Sequence, residues 1–116
     1  MNLYHVMIDL KDDAKALGFA RALDQWLTYL QDAGKIGSWR LMRRKLNLAS
    51  DDARDFLLEI EVERLSQLDD AFQHVSQHSD EVEQLYYPVN QMIAQASYSL
   101  CRPFPDENRA ERVAIL

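Results

Sequence analysis

The chain has 116 residues, enough for one domain that buries a core without disulfides or metal. Hydrophobic residues make up 47% and charged residues 28%, which excludes a disordered or low-complexity chain. The net charge of −6, from 19 acidic and 13 basic residues, disfavours nucleic acid and anionic membranes as partners.

The sequence also bounds the cellular context. No apolar run approaches the roughly 18 residues that a membrane-spanning helix needs. The first residues carry no cationic stretch ahead of the apolar ones, so we expect no signal peptide. A single cysteine, Cys101, rules out a disulfide within the chain. These features favour a cytoplasmic protein with no membrane partner.

The first half of the chain predicts a strand, a helix and a second strand. Residues 3–10 alternate with a period of two, which places His5 and Met7 opposite an apolar side formed by Tyr4, Val6, Ile8 and Leu10. Apolar residues then recur every three or four positions over 13–33, which indicates a helix. Asp12 suits its N-cap and Gly34 its C-terminal stop. A second strand is predicted over 36–48.

The second half predicts a strand, a broken helix and a last strand. The polar loop 49–53 leads into a strand over 55–63. A helix starts at Ser66, which forms a capping box with Asp69, and should break near 76–79. Pro88 indicates an end or a kink. The last strand is predicted over 92–101, with one side formed by Met92, Ala94, Ala96, Tyr98 and Leu100.

The resulting order is β-α-β-β-α-β, which is the ferredoxin-like α+β arrangement. It predicts a four-stranded antiparallel sheet with strand order 4-1-3-2 and helices on one face. We expect the domain to span residues 1–102, followed by a C-terminal tail at 103–116.

Helices on one face leave the other face of the sheet open, and its composition depends on the hairpin register. In the favoured register Arg40, Met42 and Arg44 share that face with Glu59 and Glu61, so opposite charges lie across the hairpin. The other register would place both arginines in the core. The favoured face mixes apolar and polar residues, and two such sheets could close on each other as a homodimer.

The strand order, His5 in the first strand and the stretch AFQHVSQHSDEVEQLYYPV resemble the dimeric α/β-barrel superfamily. The resemblance is greatest to its stress-responsive branch, which includes a plant polyketide cyclase, and it fits a bacterial member. It implies a homodimer formed through the sheet faces, with His5 and His78 as catalytic candidates. The chain departs from the branch by lacking a proline between His74 and His78.

The candidate ligand pocket is the lumen between two sheets, lined by Met7, Arg40, Met42, Arg44, Leu57 and Glu59, with Tyr86 near its mouth. A ligand carboxylate or phosphate could use the basic residues. Pairing of the basic run at 40–45 with Glu59, Glu61 and Glu63 explains the same residues without a ligand. His5 could likewise be only a hydrogen-bonded interface residue.

Other constellations are weaker. His74 and His78 have the spacing of two metal ligands on a helix, but no further ligands are evident, so no metal is predicted. Cys101 has no positive neighbour beyond Arg102, which favours a structural thiol. Neither a glycine-rich phosphate loop nor a dinucleotide fingerprint occurs, so no bound cofactor is predicted.

Two functions remain open from the sequence. The first is the binding or conversion of a small aromatic or polyketide-like molecule without a cofactor, as the resemblance implies. The second is a non-catalytic binding or assembly module whose lumen is filled by salt bridges. A monooxygenase of the same superfamily is a lower alternative, because no residue singles it out.

Overall fold

The computed structural model describes residues 1–46, 48, 53–76 and 80–105. In chain order the strands are β1 (Asn2–Leu10), β2 (Trp39–Arg43), β3 (Phe56–Val62) and β4 (Ile93–Cys101). The helices are α1 (Ala16–Asp32), α2 (Leu65–Ser76) and α3 (Asp80–Met92). The predicted alternation of strands and helices is therefore confirmed, with the second helical stretch divided into α2 and α3.

The four strands form one antiparallel sheet in the order β2-β3-β1-β4, which is the predicted order seen from its other edge. In the β2–β3 hairpin Trp39 lies opposite Ile60 and Arg40 lies opposite Glu59. This is the register that the charge pattern favours, and it keeps Arg40 out of the core.

One face of the sheet packs against the helices. Val6 and Ile8 of β1, with Leu58 and Ile60 of β3, join a core that α1 completes through Phe19, Leu23, Trp26, Leu27 and Leu30. Val82 and Val89 of α3 are buried in the same core. The opposite face, here the open face, carries Leu3, His5, Met7 and Asp9 of β1 and the residues paired with them.

Local signals explain both ends of the first helical stretch. The side chain of Asp12 accepts a hydrogen bond from the amide of Ala14 at 3.0 Å, so Asp12 is the predicted cap, although of a 3₁₀ turn at Asp13–Lys15 that leads into α1. Beyond α1, Gly34 has a φ of +74°, which glycine adopts without strain.

The structure departs from the prediction in β2, α3 and β4. β2 is shorter than residues 36–48, because pairing with β3 ends at Arg43. α3 continues through Pro88 to Met92 rather than ending there. In β4 a bulge lets Asp9 pair with Gln95 but Leu10 with Ile93, so Ile93 replaces Ala94 on the helix side.

No helix in the described part of the chain is long and apolar enough to cross a membrane. Only residues 103–105 of the predicted tail lie within the described ranges, so the tail remains a prediction.

Candidate functional site

The predicted site residues divide between the two faces of the sheet. Six of them lie on the open face, because they occupy alternate positions of their strands and pair with one another across the sheet: His5, Met7, Arg40, Met42, Leu57 and Glu59. Tyr86 lies on the helix side, where its ring meets that of Trp26 with 5.4 Å between centroids. The structure therefore does not bring Tyr86 together with the rest of the predicted pocket.

On the open face, Glu59 lies between a histidine and an arginine. Arg40 Nε donates a hydrogen bond to Glu59 Oε2 at 2.6 Å, and His5 Nε2 lies 3.6 Å from Glu59 Oε1. That atom of His5 is inaccessible to water and has no hydrogen-bond partner within the described residues. Its distance to Glu59 permits an ion pair when the imidazole is protonated but is too long for a good hydrogen bond.

Arg44 lies away from Glu59, contrary to the expectation that both would meet on one face. Strand pairing in β2 ends at Arg43. Asp55, the residue just before β3, lies near both Arg43 and Arg44. Asp55 forms ion pairs with Arg43 at 2.9 Å and with Arg44 at 3.7 Å. The predicted partners of the basic run are therefore correct only for Arg40 and Glu59. Glu61 instead accepts a hydrogen bond from the hydroxyl of Ser38 at 2.8 Å.

Arg54 is a site residue that the sequence analysis missed. From the segment before β3 it reaches across the sheet and donates hydrogen bonds to Asp9 at 3.0 Å, Gln95 at 2.6 Å and Ser97 at 2.8 Å. The backbone N–H of Asp55 and the guanidinium of Arg54 hold the pKa of Asp9 below its ordinary value. Arg54 lies next to the hairpin loop, outside any repeating pattern of apolar and polar residues. The sequence pattern therefore could not predict that its side chain contacts β1 and β4.

The helix side of the sheet holds a cavity of about 400 Å³. It lies between β1, β3 and β4 below and the three helices above. Its lining is mainly aliphatic and aromatic: Val6, Ile8, Leu23, Trp26, Leu27, Leu30, Ile36, Leu58, Ile60, Leu68, Ala71, Tyr86, Val89, Asn90, Ile93 and Tyr98. None of these is a carboxylate, an imidazole or a thiol.

Tyrosines supply most of the polar chemistry of this cavity. Tyr86 donates a long hydrogen bond to Asn90 at 3.5 Å, and Tyr98 stacks on Tyr4 with ring centroids 6.0 Å apart. Burial raises the pKa of Tyr86 and of Tyr4 above the ordinary value, so both phenols stay protonated at neutral pH. The groups at this cavity can donate hydrogen bonds to a ligand oxygen.

Two histidines bear on the other predictions. His78 lies outside the described residues, so its catalytic role stays a prediction. His74 belongs to α2. In the part of the chain that the structure describes, no group of three or more His, Cys, Asp and Glu residues could hold a metal ion.

The fold is similar to that of several solved structures. A protein from Arabidopsis thaliana matches with a TM-score of 0.72 at 5% identity, covering 93% of this chain and 100% of its own. A dimeric ferredoxin-like protein of unknown function from Jannaschia sp. CCS1 matches with a TM-score of 0.62 at 10% identity, covering 89% and 100%. An antibiotic biosynthesis monooxygenase matches with a TM-score of 0.61 at 13% identity, covering 90% and 100%.

At such low identity these likenesses establish the ferredoxin-like fold alone. No curated protein matches the chain. The model of a family of unknown function, DUF6614, matches residues 1–116, and the chain belongs to that family.

Proposed function

We propose that the protein binds a small aromatic or polyketide-like molecule, without a bound cofactor, in the cavity between its helices and its sheet. The observation that carries this proposal is the cavity itself, because its volume of about 400 Å³ is within the range of small-molecule sites. Its lining of aliphatic side chains with Trp26 and Tyr86 favours a flat or chain-like apolar ligand.

The polar groups at the cavity indicate how such a ligand would be oriented. The neutral phenol of Tyr86 can donate a hydrogen bond, and the amide of Asn90 can both donate and accept. Tyr98 and Asn90 are exposed and mark the side on which the cavity meets solvent. We therefore expect a ligand with an apolar body and a keto or hydroxyl oxygen at its outer end.

Binding is better supported than conversion by the described residues. His5 lies on the open face, so the sheet separates it from this cavity, and proton transfer by His5 to a ligand bound there has no geometric support. Conversion would need a group such as His78 outside the described residues. Monooxygenase activity, as in one structure of similar fold, has no further support in this chain.

Calorimetric titration with naphthol tests the proposal, since this probe combines an apolar ring system with one hydroxyl. Saturable binding with a negative heat-capacity change is expected, because apolar surface is buried. Ala71→Phe, at a buried position in the lining, should weaken binding by about tenfold or more by filling the cavity.

Two matched controls locate the site. Ala14→Phe adds the same ring at an exposed position outside the cavity, and His5→Ala removes a side chain from the open face. Both variants should bind naphthol like the native protein. Absence of saturable binding, or equal affinity in the Ala71→Phe variant, would contradict the proposal.

The second part of the proposal concerns assembly. Met7, Met42 and Leu57 form an apolar centre on the open face, and we infer that a second copy of the chain covers it. Met7 lies opposite Leu57, and Leu57 opposite Met42, so the three side chains form one row across three strands. The dimeric state of the similar Jannaschia protein supports this assembly.

A further inference from the structure

We propose that Cys101, His5 and Glu59 form an activated thiol that exchanges with low-molecular-weight disulfides. Cys101 Sγ lies 4.0 Å from His5 Nδ1, and the other ring nitrogen of His5 lies 3.6 Å from Glu59 Oε1. The imidazole therefore stands between a thiol and a carboxylate, as in sites where a base activates a nucleophile and a third group orients the base. This inference is independent of the cavity on the helix side.

Strand pairing explains why three residues distant in sequence meet. His5 of β1 lies directly opposite Glu59 of β3. On the other side of β1, Cys101 of β4 pairs with Leu3 and is thus diagonal to His5 on the open face. Arg40 holds Oε2 of Glu59 at 2.6 Å, which leaves Oε1 for the imidazole. Each member of the trio is fixed by a different strand.

The exchange follows from the chemistry of these groups. The proton of the Cys101 thiol moves to Nδ1 of His5, and Glu59 stabilises the imidazolium through Nε2. The thiolate attacks one sulfur of the disulfide, so a mixed disulfide with Cys101 forms and the second sulfur leaves as a thiolate. That leaving thiolate takes the proton from His5. The small disulfide is the oxidant, and no other co-reactant is needed.

Cys101 is accessible for such a reaction. It is exposed and ends the edge strand β4. Ser97, which pairs with Met7 in the apolar centre, lies four residues earlier, or about 13 Å at the usual rise of a strand. A second copy seated on the apolar centre is therefore compatible with a reactive thiol at this end of the sheet.

The native protein allows a direct test, because its one cysteine makes every thiol signal that of Cys101. Its reaction with dipyridyl disulfide is followed by released thiopyridone, with glutathione as the reference thiol. At about pH 6.5 we expect Cys101 to react about fivefold faster than glutathione, because His5 accepts the thiol proton as the sulfur attacks.

Variants separate the roles of the three residues. His5→Gln should reduce the rate to that of glutathione, because glutamine cannot accept the thiol proton, and Glu59→Gln should reduce it about threefold. His74→Gln, the same change in α2, should leave the rate unaltered. Circular dichroism checks that each variant is folded. If the native protein reacts no faster than glutathione, or if folded His5→Gln reacts like the native protein, the proposal is wrong.

Discussion

Charged side chains of the β2–β3 hairpin stabilise the sheet through specific partners rather than through a general balance of charge. Glu59 contacts His5 on one side and Arg40 on the other, while Asp55 takes both Arg43 and Arg44. The two acidic residues lie on neighbouring parts of one hairpin but have separate basic partners. If the charge of one acidic residue is reversed, a substitution at the basic partner of the other should therefore not restore the lost stability.

Reversing the charge of Glu59 tests this assignment. Glu59→Lys should destabilise the protein by about 1–2 kcal/mol, because it places a cation beside Arg40 and leaves His5 without its acidic neighbour. Adding Arg40→Glu should recover about 0.5–1 kcal/mol, a modest gain since the Arg40 side chain is 67% exposed. Adding Arg44→Glu instead should recover nothing. Urea denaturation at neutral pH measures all three, and rescue by Arg44→Glu would refute the pairing.

The sequence predicts contacts between neighbouring strands of a hairpin better than contacts that depend on the order of the whole sheet. Alternation and opposite charge correctly place Arg40 across from Glu59, because hairpin register couples neighbouring strands. The contact between His5 and Cys101 joins residues 96 positions apart, so it follows only after strand order and register are known together. Arg54 contacts Asp9 from a segment that is neither strand nor helix. Such a segment has no repeating pattern from which the direction of a side chain could be predicted.

At the scale of elements, backbone approach matters as much as side-chain pattern. The bulge in β4 exchanges Ile93 for Ala94 on the helix side, and alternation alone cannot predict where one residue is inserted. Before β2, the amide of Gly37 donates to the carbonyl of Glu61 at 2.7 Å, which brings two backbones together at the sheet edge. A Cβ added to Gly37 would lie 3.0 Å from that same oxygen.

Two glycines should therefore respond oppositely to alanine. Gly37→Ala should destabilise the protein by about 1–2 kcal/mol, because either the carbonyl of Glu61 or the hydrogen bond must shift. Gly18 lies inside α1 with nothing within 4 Å of an added Cβ, so Gly18→Ala should stabilise the protein by about 0.5–1 kcal/mol. Thermal unfolding of both variants in parallel measures the shifts. Equal shifts of the same sign would contradict the close approach at Gly37.

At the scale of the whole molecule, the sheet separates two surfaces of different composition. The helix side encloses the cavity, and the open face presents apolar side chains between two groups of ion pairs. Arg40, His5 and Glu59 lie at one end of the apolar centre, and Arg54 with Asp9 lies at the other. Such an apolar centre with a polar rim has the composition of a protein interface.

Substitution at the apolar centre tests the assembly of the native protein. Leu57→Arg places a charge between Met7 and Met42, and a second copy facing it would have to bury that charge without a partner. Sedimentation velocity should show a dimer for the native protein and a concentration-dependent shift to monomer for this variant. Leu17→Arg is the matched control, because Leu17 lies on α1 and is 88% exposed, so its variant should remain dimeric. A stable native monomer, or dimers of equal strength in both variants, would mean that the open face does not join two copies.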